Sequence, residues 1–422
     1  MKVLILTYYF PPSGGSGVQR WLKFVKYLPK FGVEPVVYTV ENPNYPILDP
    51  SLEKEIPKGI TILKQPIFEP NNFFKKKKQS AGFLNQNPSF IGKILQYIRA
   101  NYFIPDARKY WIKPSVKYLT TYLQNHKIDA IITTGPPHSV HLIGLKLKEK
   151  FPKIKWLADF RDPWTDIDYF HQLPLTNKAK ATHFKLEKQV LEHADKVIVV
   201  GKTMQENYLK FNKNTHVITN GFDDFVKTKV VLLDTKFSLL HIGMLNNDRN
   251  HKMLWQVLNE ICKENKLFKQ DLEIKLIGKV CQEAIEAINK NKLSENLTKI
   301  DYIKHKKVIK HQKSAQVLLL LINNVPSAKG IITGKIFEYL QAERPILAIA
   351  PTDGDLTEIL VHTNSGFVVD FNDKNALKEL ILELYERFKN DSLAIDNKNV
   401  EQYHRKILTH NLYKLMKNLD DF

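Results

Sequence analysis

Two apolar runs, residues 317–322 and 346–350, bracket the stretch Gly330-Ile331-Ile332-Thr333-Gly334-Lys335-Ile336-Phe337-Glu338-Tyr339-Leu340-Gln341-Ala342. Runs this short and this continuously apolar read as strands buried on both faces, with a helix between them. Two such strands joined by one helix are parallel, because a parallel pair needs a long crossover and a hairpin does not. The chain is thereby confined to α/β folds with helices layered on a parallel sheet. Thr333 stands where a helix N-cap belongs, Gly334 permits close backbone approach, and Lys335 opens the helix. A cation in the first turn opposes the helix dipole unless an anion is bound there. Free amides and an ammonium together cradle phosphate. Glu338 follows three residues on, on the same face, where it can accept from ribose hydroxyls. The plainer alternative is an exposed Lys335–Glu338 pair worth a few tenths of a kcal/mol, roughly.

The same grammar opens the chain. Residues 2–9 form an apolar strand, followed by Ser13-Gly14-Gly15-Ser16-Gly17 and by Val18, Trp21, Leu22, Val25 and Leu28 at helical spacing. That is how a doubly wound domain begins. The loop lacks the G-x-G-x-x-G pattern, so Gly15 and Gly17 either approach a phosphate or sugar or simply make a tight turn. Further strands are expected at 33–40, 129–134, 155–160, 196–200 and 216–219. The segment Gly135-Pro136-Pro137-His138-Ser139-Val140-His141 leaves the end of one of them, which is where open α/β sheets bind ligands. His138 is the candidate there, whereas His141 reads as structural. Asp159-Phe160-Arg161-Asp162 ends the next strand, where either Asp162 caps the turn or pairs with Arg161, or the carboxylates line a cleft; Asn220-Gly221 is a turn signal. A second half then restarts with a strand at 237–242 and the loop Gly243-Met244-Leu245-Asn246-Asn247-Asp248-Arg249. The expected domains are 1–224 and 225–398, with a polar segment 399–422 returning to the first.

At 422 residues and 43% hydrophobic content the composition suits a globular two-domain protein. No apolar run approaches the roughly 20 residues of a membrane helix. Cys262 and Cys281 have no metal-ligand spacing and fit a reducing, cytoplasmic setting. The net charge of +19 asks for acidic partners: nucleic acid, an anionic membrane surface, or phosphorylated substrates. A long excursion at 41–113 carries Lys75-Lys76-Lys77-Lys78 behind Phe73-Phe74, then Ile91, Ile94, Leu95, Ile98 and Tyr102 on one helical face. Such a basic amphipathic helix either lies on a membrane or packs on its own domain. Arg249 suits bidentate phosphate contact and Lys335 acts as a point charge. With no Asp-x-Asp motif or His/Cys cluster, no metal and no cofactor are expected.

Taken jointly, the glycine loop, Gly-Pro-Pro-His-Ser, 159–164, Asn220-Gly221-Phe222-Asp223, 243–250 and Lys335-Ile336-Phe337-Glu338-Tyr339 resemble the retaining nucleotide-sugar glycosyltransferases of family 4. The resemblance implies the GT-B fold, two Rossmann-like domains facing each other across a cleft. It implies transfer from a nucleoside-diphosphate sugar, bound mainly by the second domain, to a glycan or lipid-linked acceptor held by the first. Bacterial surface polysaccharide synthesis, at the inner face of the cell membrane, is the setting such enzymes suggest. By the same resemblance Arg249 and Lys335 clamp the diphosphate, Glu338 binds ribose, and His138 contacts the sugar. Gly15, Gly17, Gly243, Thr333 and Gly334 join the donor-binding set; Asp159, Asp162 and Asn220 are acceptor or cleft candidates. Two positions depart from the family pattern: Gly330 replaces the first of its paired glutamates, and Met244 replaces a clamp arginine. The rival readings are a GT-B sugar-nucleotide epimerase, which needs no acceptor, and a basic nucleic-acid-binding protein, for which no recognised module is present.

Overall fold

The computed structural model describes residues 1–69, 90–223, 231–301, 303 and 305–418. Phe73-Phe74, the four lysines from Lys75 to Lys78, and 224–230 of the expected linker lie outside the described residues. Two compact units emerge, one of residues 1–220 with 405–422 and one of 221–404.

The first unit is built on a seven-stranded sheet: β1 (Lys2–Leu6), β2 (Glu34–Val40), β3 (Thr61–Gln65), β4 (Ala130–Gly135), β5 (Lys155–Phe160), β6 (Lys196–Val199) and β7 (Thr215–Val217). Every pairing is parallel and the order is β3-β2-β1-β4-β5-β6-β7. Alternate residues of β1 enter opposite cores: Leu4 and Leu6 join one cluster, Val3 and Ile5 the other. The period-2 pleat dictates this. The helix Arg405–Lys417 adds Leu408, Leu412 and Met416 to the second cluster, beside Trp21 of the helix Ser16–Tyr27. Spacing of four residues puts those three on one face.

β3 is a difference from the sequence reading, which left 41–113 without a strand. None of its residues is buried. A short edge strand lacks the continuous apolar run that marks its central neighbours.

The second unit repeats the plan with six parallel strands, β8 (Phe237–Ile242), β9 (Leu272–Ile277), β10 (Leu297–Ile300), β11 (Val317–Leu321), β12 (Ile346–Ile349) and β13 (Gly366–Val369), in the order β10-β9-β8-β11-β12-β13. β8, β11 and β12 are buried along their whole length, and β11 and β12 accordingly read as unbroken apolar runs. In each unit the chain direction across the sheet reverses once, between β1 and β4 and between β8 and β11. Crevices outside the carboxyl ends of strands at such a reversal are where open α/β sheets take ligands.

Candidate active site

In the second unit the reversal brings together residues from three loops. Strand β8 is followed by Gly243, whose φ of 112° only glycine adopts readily. A Cβ there would meet Lys335 Cε at 2.8 Å and Nζ at 3.0 Å, so the lysine side chain lies directly over this backbone. Lys335 opens the helix Lys335–Leu340. Its amine is half-buried and stands 3.3 Å from Nε2 of the His241 ring. Among the described residues no carboxylate forms an ion pair with it. Burial, then the nearby Arg249 charge, pull its pKa down to about 7, with Glu338 opposing. A free ammonium in this position is costly, and an anion would relieve it.

Arg249 closes a short 3-10 turn, Asn247–Arg249. Its Nε donates to Asn323 Oδ1 at 2.6 Å, past the end of β11, and Nη1 to the Met244 carbonyl at 3.3 Å. Glu338 accepts from Gln312 Nε2 at 3.2 Å rather than pairing with Lys335. The exposed Lys335–Glu338 surface pair is therefore not what the fold contains. Two further expectations change at the helix start. Gly334, not Thr333, is the N-cap residue, and no side chain caps the helix. A Cβ on Gly334 would meet nothing within 4 Å, so packing inside the protein does not demand glycine there. Gly330 ends the 3-10 turn Ala328–Gly330 and brings no carboxylate.

In the first unit, β4 runs through Pro136 and Pro137 into His138, the residue immediately before the helix Ser139–Lys150. The His138 ring stacks on Trp164 with centroids 4.6 Å apart and planes 4° apart. Its buried Nδ1 has no hydrogen-bond partner among the described residues. Burial, then the neighbouring His141, keep it neutral, its pKa well below the usual imidazole value. His141 is fully buried behind it, bonded from Nδ1 to Thr133 Oγ1 at 2.9 Å. Beside His138 opens a pocket of about 230 Å³, lined by Tyr9, Arg99, Arg108, Tyr169 and Phe170 among others. Aromatic walls with a few polar groups suit a sugar ring or an apolar group.

The carboxylates divide. Asp162 is exposed in the turn after β5. Asp159 is fully buried, so the expectation that it lines a cleft is corrected. Arg20 Nη2 donates to its Oδ1 at 2.7 Å, Trp21 Nε1 to its Oδ2 at 2.6 Å and Thr134 Oγ1 to Oδ2 at 3.0 Å. Arg20 also donates from Nη1 to the Thr219 carbonyl at 2.8 Å and to Asn220 Oδ1 at 3.4 Å. Asn220 thus belongs to this internal network. Gly15 has φ 88° and is exposed at the start of the first helix. Gly17 answers a different need: a Cβ there would meet Arg161 Nη1 at 2.5 Å, and Arg161 donates to the Gly17 and Pro136 carbonyls.

Arg20 and His241 were not singled out from the sequence, although each left a trace. Arg20 interrupts the apolar stripe of its helix beside Trp21, and His241 breaks the apolar run of β8. A polar residue inside a buried pattern signals a partner elsewhere in the fold.

Two doubly wound parallel units, with basic residues gathered at the strand ends of the second, define the GT-B class. Residues 15–224 match the family model described as Glycosyltransferase Family 4, and residues 236–387 the one described as Glycosyl transferases group 1. The protein is a glycosyltransferase. No curated protein matches it by sequence. Among solved structures it is similar to sucrose-phosphate synthase from Thermosynechococcus elongatus, with TM-score 0.63 and 17% identity, over 99% of this chain and 98% of that one. A glycosyltransferase from Rickettsia africae matches with TM-score 0.60 and 15% identity, over 99% and 98%. S. aureus TarM, in a complex with fondaparinux, alpha-GlcNAc-glycerol and UDP, matches with TM-score 0.59 and 11% identity, over 99% of both chains. At such identities the likeness speaks for the fold.

Proposed function

We propose that the protein is a retaining glycosyltransferase whose second unit, expected from the sequence at 225–398, binds a nucleoside-diphosphate sugar and whose first unit, 1–224 with 399–422, holds a glycan or lipid-linked acceptor. The observation that carries this reading is the half-buried Lys335 amine, seated over Gly243 beside Arg249 with no carboxylate ion-paired to it among the described residues. Preorganised cations aimed at a departing diphosphate stabilise the charge that develops there, and do so without a metal. Glu338 accepts from ribose hydroxyls, with Gly243, Thr333 and Gly334 beside the phosphates. Neutral His138 offers a hydrogen bond to a sugar hydroxyl. The leaving phosphate oxygen takes the proton of the attacking acceptor hydroxyl on the same face, so the anomeric configuration is kept.

The setting we infer is bacterial surface polysaccharide synthesis, on the cytoplasmic side of an anionic membrane. Support comes from the helix Phe90–Tyr102, which has no buried residue. Phe90, Ile91, Leu95 and Tyr102 are each more than half exposed. Among the described residues no helix is long and apolar enough to cross a membrane. An apolar helix face in a strongly basic chain is suited to lying in a headgroup layer.

The test is a thermal-shift screen of nucleotide sugars followed by turnover with candidate acceptors. A ligand at 100 times its Kd adds about 2.7 kcal/mol. Lys335→Ala and Arg249→Ala are each expected to lower turnover by at least ~100-fold. Near-normal turnover in both variants overturns the assignment, and donor conversion without any acceptor replaces it with epimerisation.

A further inference from the structure

The site in the second unit contains a group that the clamp reading does not use. His241 lies on β8, fully buried, and its Nδ1 stands 3.3 Å from the Leu319 carbonyl on the neighbouring strand β11. In the tautomer that carries its proton on Nδ1, this nitrogen donates to the carbonyl and Nε2 keeps a bare lone pair. That lone pair faces the Lys335 amine at 3.3 Å. In its ammonium form the lysine has only donors, so in that state it donates and the histidine accepts.

A carboxylate in the place of His241 would hold the amine equally well but would cancel its charge. An imidazole lone pair fixes the direction of Nζ while leaving the charge for another anion. Among the described residues no carboxylate forms an ion pair with the amine, although Glu338 lies near enough to raise its pKa. Arg249 is a cation, and the Met244 carbonyl, which acts on the His241 ring, already accepts from Arg249 Nη1. Glu338, on the helix of Lys335 itself, receives Gln312 Nε2.

We propose that His241 is a positioning residue: its Nε2 lone pair aims the Lys335 amine at the diphosphate of a bound nucleotide, and that diphosphate draws a proton from solvent onto the pair. This rests on the reading of Lys335 and Arg249 as a diphosphate clamp. The neutral state of His241, which burial and Lys335 maintain, agrees with the lone pair, and the lowered basicity of Lys335 agrees with proton uptake. No proton comes from the nucleotide, since a nucleoside diphosphate is fully ionised at pH 8.

Isothermal titration calorimetry with UDP, GDP, ADP and dTDP in turn tests this, at pH 8.0 in buffers of different ionisation heat. Wild-type protein is expected to take up close to one proton per bound nucleotide, and Lys335→Met to take up almost none. His241→Phe, which keeps the ring volume without the lone pair, is expected to weaken binding roughly tenfold, as loss of one charged hydrogen bond would. His241→Gln restores an acceptor and is expected to bind within about threefold of wild type; it also serves if His241→Phe fails to fold. Binding by none of the four nucleotides, or binding by Lys335→Met equal to wild type, overturns the clamp reading itself. Binding that depends on Lys335 but is unchanged in His241→Phe, shows no proton uptake, or is not rescued in His241→Gln overturns this inference alone.

Discussion

Replacing Asp159 with leucine should cripple the stability of the first unit while leaving its chemistry intact. The side chains of Arg20 and Asp159 are 3% and 0% exposed. Removing the carboxylate strands a guanidinium in the core and orphans the Trp21 and Thr134 donors as well. Breaking one partner of a buried pair costs about 3–5 kcal/mol, and the orphaned neutral donors add to it rather than relieve it. With an unfolding entropy of about 2.1 cal/mol/K per residue, a unit of roughly 240 residues has an entropy near 0.5 kcal/mol/K. A loss of about 4 kcal/mol therefore lowers its melting midpoint by about 8 °C. Tryptophan fluorescence reads this unit well, since Trp21, Trp111, Trp156 and Trp164 lie in it and Trp255 lies in the other. The double variant Arg20→Met with Asp159→Leu should recover most of the loss, because an apolar pair of similar volume avoids the stranded charge. A midpoint shift of under 2 °C for Asp159→Leu, or a turnover collapse at full stability, would refute the structural role and return Asp159 to the chemistry.

Three other outcomes are expected. Gly243→Ala puts a methyl 2.8 Å from Lys335 Cε at a φ of 112°, so nucleotide stabilisation in a thermal-shift assay should fall by at least half; an unchanged shift would show that Lys335 does not need its seat. His141 is held neutral by burial, its pKa lowered to about 3. A histidine whose folded value lies below its unfolded one gives stability that is full above about pH 6.5 and lost as pH falls toward the folded value, by up to about 1.4 kcal/mol per pH unit. Urea midpoints between pH 6.5 and 5 should therefore drop for wild type and less for His141→Gln, and parallel slopes would contradict this. Leu95→Glu on the exposed helix should reduce sedimentation with anionic vesicles several-fold at unchanged stability; equal pelleting removes that helix from the membrane contact.

What the sequence determined by itself was the layer architecture. Residues 155–160, 237–242 and 317–321 announce central strands because a parallel strand is apolar on both faces, a property of consecutive residues. The placement of Lys335 at a helix start and of His138 beyond a strand followed from the same local grammar. Only the tertiary structure decided how the polar groups pair. Asp159 meets Arg20 across 139 residues and Lys335 meets His241 across 94. Those meetings depend on which strands become neighbours and in what register, and an ionisable side chain carries no local mark of the partner that the sheet order will set against it. Burial then sorts chemically identical candidates: Asp159, within β5, is locked in the core, and Asp162, three residues on, is exposed.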